Sequence, residues 1–410
     1  MRNLSRRRIW LFGVLVASVA GLSFAVSAAT SASSKTTKQG ARQSGLPSGT
    51  YKIGYDGGFT GRLTFYESAF LPGLKAQIDA INAKGGVAGK LKLQLVVRDM
   101  KSDPAQGAIV AHELISSDHV QFAVSPGDSD TGIPAATVFQ KAKIPVVMSS
   151  GSAWTFPQIV GDYAFLNHAG TAALGAAQAE FAMKKGWKKA CDFSSNDFSY
   201  AKNISDNFDA RYKQLGGNLA CHQYYKLSDT DFRAVAAQLA AAHPDVIVTT
   251  SVFPGNTTFL KELRAQGYKG PLLWSDSIDA NAAYAAGKAL DNVYFLTDGC
   301  GTEPAARALA ARIKKTGKAL DGHNYVLGGD LALVIQAALL KANSVDPTAV
   351  RNALASLVNA PGISGPISYA KSPEVRVPIK KLAVLKYSGK NRSYSCVTHI
   401  YPKKIPGIKS

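Results

Sequence analysis

Acidic residues are scarce in this chain. Only 28 Asp and Glu stand against 47 Lys and Arg, giving a formal net charge of +19 over 410 residues. A surplus of that size is the electrostatic footprint of a nucleic-acid binder when it is concentrated on one helix or stripe. Here it is dispersed, as in Lys184-Lys185, Lys188-Lys189 and Lys314-Lys315, and no aromatic-interleaved basic motif accompanies it. Nucleic acid is therefore excluded as a partner, and the charge reads as a solvated basic surface. Long apolar runs are also missing beyond the first thirty residues, so no later segment reads as a membrane span. Catalytic signatures are absent too: there is no G-x-S-x-G elbow and no H-E-x-x-H, and the seven histidines are isolated from one another. The reading is a non-enzyme without a cofactor or metal.

Cysteine is equally sparse, with Cys191, Cys221, Cys300 and Cys396 the only four. No C-x-x-C or clustered His accompanies them, which argues against zinc. Cys191 and Cys221 fall at equivalent points of two successive expected strands, within bonding reach if those strands are neighbours. Cys300 and Cys396 would then form the second pair, although four cysteines allow three connectivities.

What is present at the start is a secretory signal. Arg2, Arg6, Arg7 and Arg8 precede an apolar run from Ile9 to Leu22, and Val26-Ser27-Ala28-Ala29 supply a small-residue cleavage site. Residues 1–28 are thus expected to be a signal peptide, leaving a net charge of +15 once their four arginines are removed. Ser5-Arg6-Arg7-Arg8 also loosely fits a twin-arginine signal, so the export route stays open. Residues 29–49, rich in Ser, Thr, Lys, Gln and Gly, read as a flexible linker. Export makes disulfides permissible and places the protein in the periplasm or on the envelope exterior.

The body of the chain is an alternation of strands and helices. Leu91, Leu93, Leu95 and Val97 alternate with Lys92, Gln94 and Val96 as in a strand. Phe70, Leu74, Ile78 and Ile81 recur at helical spacing. Strand Tyr51–Tyr55, the turn Gly57-Gly58-Phe59-Thr60-Gly61, a helix from about Tyr66 (or Ser68, given Pro72) to Lys84, and strand Leu91–Val97 make one βαβ unit. Further strands are expected at 120–125, 144–149, 190–193, 219–225, 245–251 and 271–275, with a helix at 133–142. Mainly helical sequence follows from residue 303, and two late strands lie at 380–387 and 393–399. Two sheets of four or five strands suit this length. The polar loops at 57–61, 125–132 and 149–154 should share one sheet edge, where open α/β sheets bind ligands.

The order Tyr51-Lys52-Ile53-Gly54, Thr60-Gly61, Ile81-Asn82-Ala83-Lys84-Gly85-Gly86-Val87-Ala88-Gly89-Lys90, Asp99 and Asp103-Pro104 resembles the leucine/isoleucine/valine-binding protein family. These are type I periplasmic binding proteins, the receptors of branched-chain amino-acid ABC importers. The resemblance covers about residues 50–400. It implies an α/β fold of two Rossmann-like lobes joined by a three-segment hinge. Lobe 1 would take residues 50–168 and 299–372, and lobe 2 residues 169–298 and 373–410. The function implied is binding of an amino acid or related small carboxylate by a monomer that delivers it to an ABC permease. A ligand-binding subunit of an extracytoplasmic sensor is the alternative.

For the site, the resemblance implies a carboxylate held by Ser129 and by Ser150, Gly151, Ser152 and Ala153. Tyr66, Tyr200, Phe253 and Asp276 would contact the rest. The run Gly151-Ser152-Ala153-Trp154 departs from the family pattern: the usual Thr hydroxyl falls on Ala153 or is supplied by Ser152, and Trp154 would narrow the pocket or favour a flat ligand. Phe253 stands where a tyrosine is common. Each position also has a plainer reading. Ser129 would be a helix cap, Asp276 an Asx-turn residue, Tyr200 and Trp154 packing aromatics, and His168 a hydrogen-bonding hinge residue.

Overall fold

A computed structural model describes residues 45–407. The expected signal peptide and most of the expected linker lie outside the described residues. The first sheet collects β1 (Gly49–Gly57), β2 (Leu91–Asp99), β3 (Phe122–Ser125), β4 (Val146–Met148) and β5 (Ala164–Leu166). They are connected through α1 (Thr64–Ala83), α2 (Pro104–Ser116), α3 (Ser129–Lys141) and α4 (Phe156–Val160). All pairs are parallel in the order β2-β1-β3-β4-β5. The strand-end loops 57–63, 125–129 and 149–154 therefore emerge on the same edge, beside the β1/β3 switch point.

The chain then passes through residues 167–170 into a second sheet. Its helices are α5 (Thr171–Lys184), α6 (Ser199–Gln214), α7 (Arg233–Ala241) and α8 (Gly255–Ala265). Its first strands are β6 (Lys189–Ser195), β7 (Asn218–Tyr225), β8 (Val246–Thr249), β9 (Leu272–Trp274) and β10 (Val293–Thr297), with two 3₁₀ segments at Asp276–Ile278 and Asn281–Leu290. After residue 298 the chain returns through α9 (Pro304–Lys315), α10 (Asn324–Ala342) and α11 (Pro347–Ala355). It crosses once more to the hairpin β11 (Leu382–Ser388) and β12 (Ser393–Ile400). The sheet order is β12-β11-β10-β9-β8-β6-β7. It has seven strands rather than four or five, because β10 was not expected and the terminal hairpin adds antiparallel to it. The molecule is thus two Rossmann-like lobes joined by three crossings.

Each lobe has its own core. The α1 stripe Phe70, Leu74, Ile78 and Ile81 packs against Leu327, Leu331, Val334 and Ile335 of α10. Each such burial stabilises by about 1.5–3 kcal/mol. α10 is long and apolar enough to cross a bilayer, contrary to the sequence reading, but two thirds of that stretch is buried within the protein. It is the core helix of the first lobe. In the second lobe Phe193 stacks on Phe259 at 4.1 Å, and the buried Trp274 donates its indole N–H to Ser251 O at 2.8 Å.

Two helices begin earlier than expected. α1 starts at Thr64 with Pro72 inside it, and α3 starts at Ser129 with Pro134 inside it. In α3 the preceding Asp128 accepts from the Asp130 amide at 3.2 Å and from Thr131 Oγ1 at 2.8 Å, fixing the first turn. In α1 the first-turn Glu67 is buried and bonded across the lobe, which offsets the single backbone donor that proline removes. Disulfides join Cys191 of β6 to Cys221 of β7, and Cys300 to Cys396 of β12.

Candidate functional site

The strand-end edges of the two sheets face each other across a cavity. From the first lobe come Arg62, Leu63 and Tyr66 around the start of α1, Gly127 and Asp128 after β3, Ser150 and Gly151 after β4, and Asn324 opening α10. From the second come Phe198 and Tyr200 at the head of α6, Val252 after β8, and Asp276 and Ser277 after β9.

The cleft is closed. Tyr66 Oη donates to Ser277 O at 3.2 Å, the Ser199 amide donates to Asp130 Oδ2 at 2.8 Å, and Phe65 stacks on Phe253 at 5.1 Å. Close approach also explains two glycines. A Cβ on Gly151 would lie 2.8 Å from the Tyr200 ring and 2.9 Å from the Asp276 carboxylate. One on Gly127 would overlap Ser150 Oγ at 1.8 Å.

The first-lobe wall is built to present donors. Glu67 lies beneath it, accepting from the Gly127 amide at 2.8 Å, from Ser149 Oγ at 2.9 Å and from Tyr55 Oη. Burial pushes the Glu67 carboxyl up, opposed by these hydrogen bonds. The Ser149 amide is taken by Ser125 O at 2.8 Å and the Ala153 amide by Ser129 Oγ at 2.7 Å. The amides of Ser150 and Gly151 have no protein acceptor among the described residues. Beside them the Arg62 guanidinium pairs with Asp128 and reaches Thr131 Oγ1 at 3.2 Å. Small residues and exposed amides of this kind favour an anion.

The opposite wall carries Asp276. Its Oδ1 accepts from Tyr200 Oη, and its Oδ2 lies 3.6 Å from His168 Nε2. Burial pushes the Asp276 carboxyl up, while His168 and the Tyr200 hydrogen bond pull it back. The Tyr200 phenol is pushed well above its ordinary range, chiefly by burial and then by Asp276 itself.

Five of the ten expected ligand residues, Tyr66, Ser150, Gly151, Tyr200 and Asp276, line this cavity. The other five surround it. Ser129 is buried with its hydroxyl turned to the Ala153 amide, so Ala153 is spent on the loop rather than on the cavity. Ser152 Oγ donates to Ser150 O at 3.2 Å. Trp154 packs on Ala172, Ala173 and Ala176 of α5, and its amide donates to Thr171 Oγ1 at 3.1 Å. It therefore neither narrows the cavity nor stacks on a ligand there. Phe253 is spent on Phe65 at the rim. The sequence reading missed Arg62, Leu63, Gly127, Asp128, Phe198, Val252, Ser277 and Asn324. Arg62 had one signal: it is the sole cation in the loop following β1.

The family model described as periplasmic binding protein matches residues 50–391. The chain belongs to the periplasmic binding protein family. The Leu/Ile/Val-binding protein BraC3 of Rhizobium johnstonii is 23% identical over 329 residues, covering 79% of this chain and 88% of that relative. Among solved structures, the branched-chain amino acid substrate-binding protein LivJ of Streptococcus pneumoniae, in complex with isoleucine, superposes with a TM-score of 0.75 at 22% identity. It covers 85% of this chain and 99% of LivJ. An ABC-transporter solute-binding protein of R. palustris, in complex with 4-hydroxybenzoate, gives 0.77 at 20% identity, covering 88% and 99%. The same family fold therefore houses an amino acid in one relative and an aromatic acid in another.

Proposed function

We propose that this protein is the exported solute-binding component of an ABC importer, taking an amino acid into the interlobe cleft and releasing it to a membrane permease. Lobe 1 would comprise residues 50–168 and 299–372, and lobe 2 residues 169–298 and 373–410. The ligand carboxylate would meet the Ser150 and Gly151 amides, Ser150 Oγ and the Arg62 side. The ammonium would meet Asp276 and Tyr200, with Tyr66, Phe198 and Val252 against the side chain. Ser129, Ser152 and Ala153 would hold the carboxylate loop in shape, and Trp154 and Phe253 would support the cleft from outside.

The observation that carries this reading is the opposition of unlike walls: free amides and an Arg62 guanidinium paired with Asp128 on one lobe, the Asp276 carboxylate on the other. A benzoate-type acid would leave Asp276 buried without a cation, which is costly. An amino acid meets both walls at once. The family relatives named for Leu, Ile and Val support a small apolar side chain, and Leu63, Phe198 and Val252 suit one. Thermal shifts with amino acids, aromatic acids and amides test the class. A true ligand at 100 times its Kd adds about 2.7 kcal/mol of stability. Stabilisation by an aromatic acid and by no amino acid would overturn the amino-acid assignment.

A further inference from the structure

Each of the three lobe crossings contributes one ionisable side chain to a single buried cluster, and that cluster touches the cleft. His168 comes from the first crossing, Asp298 from the second and Lys380 from the third, directly before β11. Their side chains are no more than 2% exposed. Lys380 Nζ lies 3.2 Å from Asp298 Oδ1 and 2.6 Å from Asp330 Oδ2 of α10. Asp330 is itself fixed by the Ser364 amide at 3.0 Å and Ser364 Oγ at 2.6 Å. Burial pulls the Lys380 ammonium down, but Asp298 and Asp330 outweigh it and hold it above the ordinary lysine range. The lysine is therefore a fixed positive charge at the hinge.

His168 joins this charge to the cleft. Its Nδ1 accepts from the Gly170 amide at 3.1 Å, which leaves Nε2 as the ring's donor. That nitrogen lies 3.2 Å from Asp298 Oδ2 and 3.6 Å from Asp276 Oδ2, as charge contacts without hydrogen-bond geometry, while Tyr200 holds the other Asp276 oxygen.

We propose that His168 is a positioning residue for ligand binding: braced between the Gly170 amide and the Lys380–Asp298 pair, it fixes the Asp276 carboxylate toward the cleft and ties the cleft acid to all three hinge strands. The proposal rests on the reading of Asp276 as a ligand-binding group. His168 itself does not line the cavity.

A conformational consequence follows from the geometry. Any lobe rotation that moves the second crossing against the first changes the His168–Asp298 separation, and with it the support of Asp276. The acid is then fully aligned only in the closed arrangement seen here. Binding-site electrostatics and hinge angle become one variable.

The test is carboxyl ¹³C NMR of the full exported chain labelled at aspartate, with Asp276→Asn supplying the assignment. In the His168→Gln variant the Asp276 midpoint should move up, since His168 lowers it. The groups facing Asp276 are Tyr200, His168, Asp298 and Asp279, and only His168 is altered. An unchanged midpoint in a folded variant overturns the proposal. If the variant does not fold, a histidine ¹⁵N spectrum of the wild-type chain decides. A protonated Nε2 on His168 supports the arrangement, and an unprotonated one overturns it. Neither readout requires a ligand, so failure of every amino acid to bind would remove the transport reading while leaving both spectra decisive.

Discussion

At the scale of single residues, the cleft is defined by where charge is held away from water. Asp276 is buried, aimed at the cavity and bonded by Tyr200. Replacing it with Asn keeps the shape and removes the charge. Affinity for an amino acid should fall about ten- to hundredfold by calorimetry, in line with a charged hydrogen bond worth about 1.5–3 kcal/mol. Affinity for the des-amino analogue should not fall. Glu374 offers a stability test away from the cavity. Both its oxygens are buried without a partner among the described residues, beside the backbone of Gly170, and burial pushes its carboxyl up to about 8. The folded chain keeps that proton to about pH 8, whereas the unfolded chain releases it near the ordinary glutamate value of 4.5. Stability from this group is therefore full below the lower value and lost as pH rises through the window. Glu374→Gln should match the wild type near pH 4.5 and exceed it above pH 8, by at most about 5 kcal/mol. Denaturant titrations at the two pH values check this, and parallel pH profiles would refute it. The residues legible in the sequence were those at strand ends, because a parallel sheet puts every such loop on one edge. Arg62, Asp128 and Asn324 were not, since which side chains enter a cleft depends on how two lobes close.

At the scale of elements, legibility followed periodicity. The opening βαβ block was readable because β2 alternates and α1 carries one apolar stripe. α5 was missed because it is alanine-rich and buried nearly all round, which leaves no stripe to detect. β5 and α4 are three and five residues long, too short for a period to show. β10 went unseen because its five residues are buried on both faces and run straight into a crossing. The disulfides act at this scale as well. One closes a separation of 30 residues between neighbouring parallel strands, the other a separation of 96 between the end of the second crossing and the terminal hairpin. On loop entropy alone, removing the first should cost about 4 kcal/mol and the second about 5 kcal/mol. Paired Cys→Ala variants, compared by chemical denaturation, should rank in that order. The reverse order would show that packing at the β12 edge, not loop closure, sets the cost.

At the scale of the whole molecule, two lobes share three crossings, and those crossings share one buried charge cluster. The apolar cores lie within the lobes, the hinge carries buried charge, and the cleft sets Leu63, Phe198 and Val252 beside its polar groups. Closure combines the Tyr66 and Ser199 hydrogen bonds with the Phe65–Phe253 stack. On the reading proposed above, this cleft takes a small zwitterion, with its two charges meeting opposite lobes. Calorimetric titration of the unfolded and refolded chain with leucine, isoleucine, valine and their des-amino analogues, alongside benzoate and 4-hydroxybenzoate, tests it most directly. The account predicts one-site binding of an amino acid and at least tenfold weaker binding of its des-amino partner. Equal affinity for the two, or binding confined to the aromatic acids, would contradict it.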